Sequence, residues 1–248
     1  MTPRPARVQL FVTCLVDRFF PSAGHAAVEV LERLGVEVAV PADQTCCGQP
    51  AFNGGFAAEA EAMARATIDV LSRSDDPVVV PSGSCADMIV NHYPDLLAGD
   101  AVYGPKAKAL AARTFEFSQF IVDVLGADLR TAPGGPTIAY HASCHGLRGL
   151  GLREAPRRLL RAAAGDRCAD LPDAETCCGF GGLFAVKMGA VSAAMLEAKL
   201  DAIERSGADL VAATDVSCLM HIGGGLHRRG RRARTRHIAE ILADTLHD

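Results

Sequence analysis

Short apolar runs alternate along the chain with longer segments in which apolar residues recur at helical spacing. The runs at residues 8–13, 36–40, 78–80, 137–140 and 210–213 predict buried strands. The segments between them predict helices at about residues 23–34, 57–71, 105–125, 154–164, 188–205 and 235–246. Alternating strands and helices are typical of an α/β fold in which crossover helices connect parallel strands. We therefore expect mainly parallel sheets with flanking helices.

The order of strands and helices in the first half of the chain repeats in the second half. Residues 132–136, with the sequence Ala-Pro-Gly-Gly-Pro, have the composition of a linker between the two copies. A matching order of elements indicates an internal duplication. We predict a first cysteine-rich domain at residues 1–131 and a second at 136–248, related by a pseudo-two-fold axis.

The cysteines follow the same duplication. Eight of the nine cysteines belong to one pattern used twice: a lone cysteine, an adjacent pair followed by glycine, and another lone cysteine. The members are Cys14, Cys46, Cys47 and Cys85 in the first half and Cys144, Cys177, Cys178 and Cys218 in the second. Each lone cysteine follows a predicted strand, and sites in such folds form beyond the carboxyl ends of the strands. Cys168 lies outside the pattern, and we expect it to be a bystander.

Composition narrows the class of protein. The chain has 248 residues and a formal net charge of −4, so it has no general attraction to nucleic acid. No stretch reaches the ~18 apolar residues of a membrane span, and the N-terminus has no secretory signal. No glycine-rich nucleotide-binding motif is present. We expect a cytoplasmic protein, in which clustered cysteines indicate metal or redox chemistry more often than disulfides.

The residues alone leave four explanations of the cysteine pattern. Buried apolar cysteines account for one or two positions but not for an ordered repeat. A disulfide within a pair is strained, because adjacent Cα atoms are about 3.8 Å apart and disulfides favour about 4.4–6.8 Å. A zinc ion in each half fits the count of four thiolates but not the usual spacing of zinc ligands. An iron–sulfur cluster in each half accommodates adjacent thiolates, because they can ligate neighbouring irons.

Residues beside the cysteines bear on the cluster interpretation. Gly48 and Gly179 follow the two pairs, and we expect them to leave room for a cluster to approach the backbone. His141 and His145 flank Cys144, where they either tune the site or pack against it.

The segments that carry these residues are similar to known sequences. They are LFVTCLVD at 10–17, CCGQPAFN at 46–53, PSGSC at 81–85, CCGFGG at 177–182 and CLMHIGG at 218–224. They resemble the cysteine-rich CCG domain, found twice in one subunit of heterodisulfide reductase and in the iron–sulfur subunit of glycolate oxidase. The resemblance to the lactate-utilisation protein A family is closer still and spans nearly the whole chain.

The resemblance implies an iron–sulfur electron-transfer subunit of a three-component system that oxidises L-lactate to pyruvate. It implies a ferredoxin-type iron–sulfur subunit and a third subunit as partners, and an oxidoreductase complex whose activity this chain does not have alone. The eight patterned cysteines would then bind at most one cluster of the 4Fe-4S type in each half, with zinc in one half as the alternative. The alternative functions are a cluster-based disulfide or heterodisulfide reductase subunit and a zinc-stabilised scaffold.

The chain departs from the fullest CCG pattern in one respect. That pattern ends each repeat in Cys-x-x-Cys, whereas the second cysteine is replaced here by Met88 in the first half and His221 in the second. Each half therefore has four thiolates instead of five. A nitrogen ligand from His221 is one way to complete the second set.

Overall fold

Two similar halves, each built on a four-stranded parallel sheet with flanking helices, make up the computed structural model, which describes residues 4–127, 129 and 135–246. The linker predicted at 132–136 and the domain boundary placed there fall mostly outside the described residues. The predicted α/β class and the two parallel sheets are confirmed.

The two sheets have the same strand order. The strands of the first sheet are β1 (Arg7–Leu10), β2 (Glu37–Ala39), β3 (Val78–Val80) and β4 (Thr114–Glu116). Those of the second are β5 (Ile138–Tyr140), β6 (Cys168–Ala169), β7 (Leu210–Ala213) and β8 (Arg234–His237). Their spatial orders, β2-β1-β3-β4 and β6-β5-β7-β8, are equivalent, and every pair is parallel. The carboxyl ends of all four strands therefore lie along one edge of each sheet.

Helices connect the strands and cover the sheets. In the first half they are α1 (Cys14–Phe19), α2 (Pro21–Arg33), α3 (Gln49–Asn53), α4 (Ala57–Leu71), α5 (Gly83–Asp87), α6 (Tyr93–Leu96), α7 (Tyr103–Ala111) and α8 (Phe117–Gln119). In the second half they are α9 (Ala155–Ala164), α10 (Leu183–Lys187), α11 (Gly189–Ser206), α12 (Val216–Arg228) and α13 (Ile238–Thr245). Wider π-helical turns at Met88–His92, Phe120–Val124 and His145–Gly149 and a 3₁₀ turn at Gly165–Arg167 extend or link these helices. No helix of the described residues is long and apolar enough to span a membrane.

The periodic segments form the expected elements, whereas three short edge strands were not predicted. Helix α4 has the predicted bounds, with Ala60, Ala64 and Ile68 on its buried face. The prediction of one helix at 105–125 was wrong, because β4 interrupts it, and β8 likewise occupies the start of the helix predicted at 235–246. Strand β6 has only two residues. Strands this short carry no periodic signal of their own, and pairing with a neighbouring strand decides their conformation.

One apolar core runs through both halves. Helix α2 of the first half packs against α13 of the second, and α8 packs against α9. Buried side chains of both halves, such as Val30 and Phe117 with Leu159 and Ile238, belong to the same cluster. Because this core is shared, the halves are held in a fixed relation, with the carboxyl edges of both sheets turned to a common region.

Candidate metal centre

All eight cysteines of the repeated pattern line one cavity of about 170 Å³. The cavity lies at the carboxyl edges of both sheets, and residues of both halves form its walls. The structure therefore brings the two cysteine sets next to one another, instead of placing them in separate parts of the core.

The first set forms a row of neighbouring thiols. The Sγ atoms of Cys14 and Cys46 are 3.8 Å apart, and those of Cys47 and Cys85 are 3.3 Å apart. The adjacent thiols of Cys46 and Cys47 interact with each other and so join the two contacts. Cys47 and Cys85 are buried, while Cys14 and Cys46 are half-buried at the cavity.

The second set repeats this row in the same order. The thiol of Cys144 interacts with that of Cys177, Cys177 with Cys178, and Cys178 with Cys218. Cys178 and Cys218 are buried, and the backbone N–H of Gly179 donates a 3.3 Å hydrogen bond to the Sγ atom of Cys177. Both rows therefore place four sulfur atoms side by side on the wall of one cavity.

Crowding of the thiols perturbs their ionisation. Hydrogen bonds from its two neighbours, Cys14 and Cys47, lower the pKa of Cys46, and hydrogen bonding to Cys46 raises the pKa of each neighbour. Cys177 in the second row has a lowered pKa for the same reason. Neighbouring thiolates repel one another, so without a cation only part of each row can ionise. A bound metal would remove this restriction, because its positive charge stabilises every thiolate that ligates it.

Capped helix starts place three of the four lone cysteines at the cavity. Cys14 is the first residue of α1, whose N-cap Thr13 accepts a hydrogen bond from the Val16 N–H. Ser82 caps α5 in the same way through the Cys85 N–H, and Asp215 caps α12, which carries Cys218 in its first turn. Each cap lies two or three residues after the end of a strand. The strand–cap–helix sequence therefore fixes where the thiol points.

His145 is held between the two halves. Its Nδ1 atom lies 2.6 Å from the Oδ2 atom of Asp87, and its Nε2 atom lies 3.0 Å from the Nε2 atom of Gln49. The hydrogen bond to Asp87 raises the pKa of His145. His145 also lines the cavity beside Cys144. It thus connects the cavity wall of the second half to a buried carboxylate of the first.

Two basic side chains, those of Lys199 and His141, lie near the second row of thiols. The sequence did not indicate that both would be found there. Lys199 of α11 is buried; its ammonium donates a hydrogen bond to the Asp173 carbonyl and interacts favourably with Cys178. His141 is also buried. The pKa of Cys218 is lowered to about 6 by its hydrogen bond with Cys178 and, to a smaller extent, by the nearby imidazole of His141. The sequence does contain a signal for Lys199: it is a charged residue on the apolar helix face formed by Leu196 and Leu200, which indicates a buried lysine.

Two segments of the chain, one in each half, match a known domain family. The sequence profile of the CCG cysteine-rich domain matches residues 8–90 and again 138–223. Lactate utilization protein A of Exiguobacterium sp. is 48% identical over 236 residues, covering 95% of this chain and 96% of the relative. The protein of that name from Geobacillus kaustophilus is 46% identical over 236 residues, covering 95% of this chain and 98% of the relative. Lactate utilization protein A 2 of Bacillus cereus strain Q1 is 42% identical over 240 residues, with 97% and 99% covered.

The chain belongs to the lactate utilization protein A family. This confirms the resemblance found in the sequence. Within this member of the family, the two positions that depart from the fullest CCG pattern have different surroundings. Met88 is fully buried and packs in an apolar cluster with Cys85. His221 lies inside α12, not at a helix start, with its Nε2 atom 3.4 Å from the Ser192 hydroxyl.

The glycines of the two Cys-Cys-Gly loops allow a tight backbone turn. Gly48 has a φ of 85° and Gly179 a φ of 91°, which side chains other than glycine rarely adopt. A Cβ atom on Gly179 would lie 2.7 Å from the Ser192 carbonyl oxygen, and one on Gly48 would lie 3.2 Å from the Met63 Cβ atom. The glycines therefore allow the first loop to pack closely against α4 and the second against α11. That they also leave room for a cluster to approach the backbone stays a prediction.

Cys168 lies apart from both rows, in β6 at the edge of the second sheet, where it is half-buried against the shared core. Its bystander role stays a prediction.

The donor atoms present fit a metal centre in each half. Each row offers four sulfur donors, the ligands preferred by iron–sulfur clusters and zinc. The pKa shifts of the rows are those of thiols brought close together, which a metal cation would stabilise as thiolates. The residues that could hold such a centre are Cys14, Cys46, Cys47 and Cys85 in the first half and Cys144, Cys177, Cys178 and Cys218 in the second.

Proposed function

We propose that this chain takes part in lactate utilisation as an electron-transfer subunit, with an iron–sulfur centre held by each row of cysteines. The names of its relatives in the lactate utilization protein A family support the process. The observation that carries the electron-transfer role is the position of the two rows, which line the same cavity between the halves. Two redox centres in one cavity wall suit the passage of electrons better than they suit independent structural roles.

The chain itself would provide binding, burial and positioning. Capped helix starts hold Cys14, Cys85 and Cys218, the tight glycine turns hold the pairs, and half of the eight thiols are buried. An iron–sulfur centre bound to such thiolates would accept and release single electrons. Burial limits solvent access, and the hydrogen bonds around the sulfurs set the potential at which transfer takes place.

Oxidation of lactate itself is assigned to another subunit. The sequence has no recognisable flavin or nicotinamide site, and removal of hydride from a 2-hydroxy acid needs such an acceptor. We propose that this chain works in the cytoplasm with a ferredoxin-type iron–sulfur subunit and a third subunit. Electrons from lactate would reach its two centres from that complex, and pyruvate would be released elsewhere in it.

Anaerobic purification of the full chain, followed by a visible absorption spectrum and metal analysis, tests this function. We expect a brown protein with broad visible absorption, bleached by dithionite, and with iron and acid-labile sulfide in matching amounts. A colourless protein that contains stoichiometric zinc and no iron would reject the electron-transfer role.

Zinc in one half is the second candidate, and it has its own supporting observation. Ligand atoms of His141, Cys178 and Cys218 all lie within 4.8 Å of one another and are buried. Mixed imidazole and thiolate donors are common in structural zinc sites. In that case the second half would stabilise the fold, and the metal analysis above would find iron and zinc together.

A further inference from the structure

His141 is a fully buried polar side chain without a hydrogen-bonding partner of normal geometry at either ring nitrogen. It directly follows β5 and is held by a 2.8 Å hydrogen bond from its backbone N–H to the Ala212 carbonyl. Leaving buried polar atoms unpaired costs about 1–3 kcal/mol, so such groups usually have a partner. The ring of His141 therefore needs an explanation beyond packing.

Two thiols of the second row lie close to this imidazole. One ring nitrogen of His141 and the Sγ atoms of Cys178 and Cys218 all lie within 4.8 Å of one another, and all three residues are buried. That spacing suits donors that converge on one ion. Imidazole and thiolate are both ligands of iron and zinc in proteins.

The duplicated half of the chain provides an internal comparison. Phe11 directly follows β1, as His141 directly follows β5. Phe11 lies three residues before Cys14, and His141 lies three residues before Cys144. The backbone N–H of Phe11 donates a 2.9 Å hydrogen bond to the Val79 carbonyl, the equivalent of the bond from His141 to Ala212. Phe11 is buried in an apolar cluster with Cys47 and Cys85. The same position is therefore apolar in the first half and a potential donor in the second.

We propose that His141 is a nitrogen ligand of the metal centre in the second half, beside Cys178 and Cys218. This inference rests on the proposal that the second row binds a metal. His221, the donor considered from the sequence, has other partners: its ring packs edge-on against Phe180 and its Nε2 atom faces the Ser192 hydroxyl. His141 would make up for the cysteine that the second repeat lacks, whereas the first half has no corresponding nitrogen donor at Phe11.

The two centres would then differ in their donors and surroundings. Each half has four thiolates, so the neutral imidazole of His141 adds a donor to the second set without adding negative charge. The buried ammonium of Lys199 lies near the second row only, and its positive charge favours the reduced, more negative state of that centre. Electrons in the chain would therefore collect at the second centre.

The test begins with the anaerobically purified full chain carrying Cys46→Ser, so that the second centre can be observed by itself. Three further changes are made in it: His141→Phe, which copies the first half, His141→Cys, which keeps a donor, and His221→Ala as the control. Metal release to excess chelator is followed with time. Mössbauer spectroscopy for iron, or X-ray absorption at the metal edge for zinc, reports whether nitrogen is bound.

His141→Phe is expected to speed metal release more than about tenfold, since even partners of ligands affect metal affinity by about 10–100-fold. It should also abolish the spectroscopic signature of the nitrogen-bound metal. His141→Cys should keep the metal with an all-sulfur spectrum, and His221→Ala should leave both measurements unchanged. The cysteine variant also shows that a loss in the phenylalanine variant is not a general failure to fold.

Two results would overturn the inference in distinguishable ways. If the second half binds metal but its spectrum has no nitrogen signature, or keeps one in His141→Phe, then His141 is at most a hydrogen-bond donor and the proposed function stands. If the second half of the otherwise unchanged chain binds no metal, both this inference and the proposed function of that half fail.

Discussion

The carboxylate of Asp215 accepts a 2.8 Å hydrogen bond from the backbone N–H of Ser84, which joins the helix starts that carry Cys218 and Cys85. Its Oδ1 atom caps its own helix by accepting bonds from the N–H and hydroxyl of Ser217, at 3.2 and 2.6 Å. Its Oδ2 atom is also 3.3 Å from the Ser82 hydroxyl of the first half. One buried carboxylate thus fixes the two cysteine-bearing edges relative to each other.

Replacing Asp215 by alanine should therefore destabilise the whole protein. We expect the free energy of unfolding to fall by on the order of 3 kcal/mol, because a helix cap and buried hydrogen bonds to a charged group are lost together. Urea unfolding followed by circular dichroism measures the change. Asp244→Ala is the control, since Asp244 is exposed and its ion pair with Arg236 should contribute about 1 kcal/mol or less. Equal effects of the two changes would contradict a special role for Asp215.

Removal of one thiolate from one row should affect only that row. We expect Cys46→Ser to lower the bound metal by about half, because binding in each half depends on its own set of deprotonated thiols. Cys177→Ser should remove the other half of the metal, and the double variant should bind none. Metal analysis of anaerobically purified protein gives the answer. Cys168→Ser, outside both rows, should retain the full amount. A large loss of metal from that variant would show that Cys168 is not a bystander.

Glu116 should make stability depend on pH. It is fully buried at the end of β4, and burial raises its pKa to about 7 from 4.5. Between those values the folded state keeps a proton that the unfolded state has released, so stability falls as pH rises. The loss should total about 3 kcal/mol and be complete above pH 7. Urea unfolding at pH 5 and pH 8 measures it, and Glu116→Gln should lack this contribution. Parallel losses in the two proteins would contradict the prediction.

The isolated chain should not oxidise lactate. It has donor atoms for electron carriers but no recognisable site for a hydride acceptor, so the first chemical step needs a partner subunit. We expect no lactate-dependent dye reduction by the purified chain with its metal centres intact, and activity when the partner subunits are added. Sustained turnover by the pure chain would place lactate oxidation within it and refute the division of labour that we propose.

The repeated strands and helices that form the frame of the fold could be predicted from the amino-acid sequence. Apolar periodicity is a local property of the sequence. It therefore predicted both α4 and β3 with the bounds that the structure has. The cysteine pattern is also visible in one dimension. It indicated which eight thiols belong together, and the repeat indicated that they form two equivalent sets.

How those parts meet depends on the packing of the two halves. Strand β4 forms because β3 is beside it, and neither the cap shared by Asp215 and Ser84 nor the common cavity has a local signal. The surroundings of the two histidines also depend on distance in space: His141 lies beside Cys178 and Cys218, whereas the Nε2 atom of His221 faces Ser192. Hydrogen bonds and metal ligation act over a few ångströms between residues far apart in the chain, so a one-dimensional pattern does not contain them.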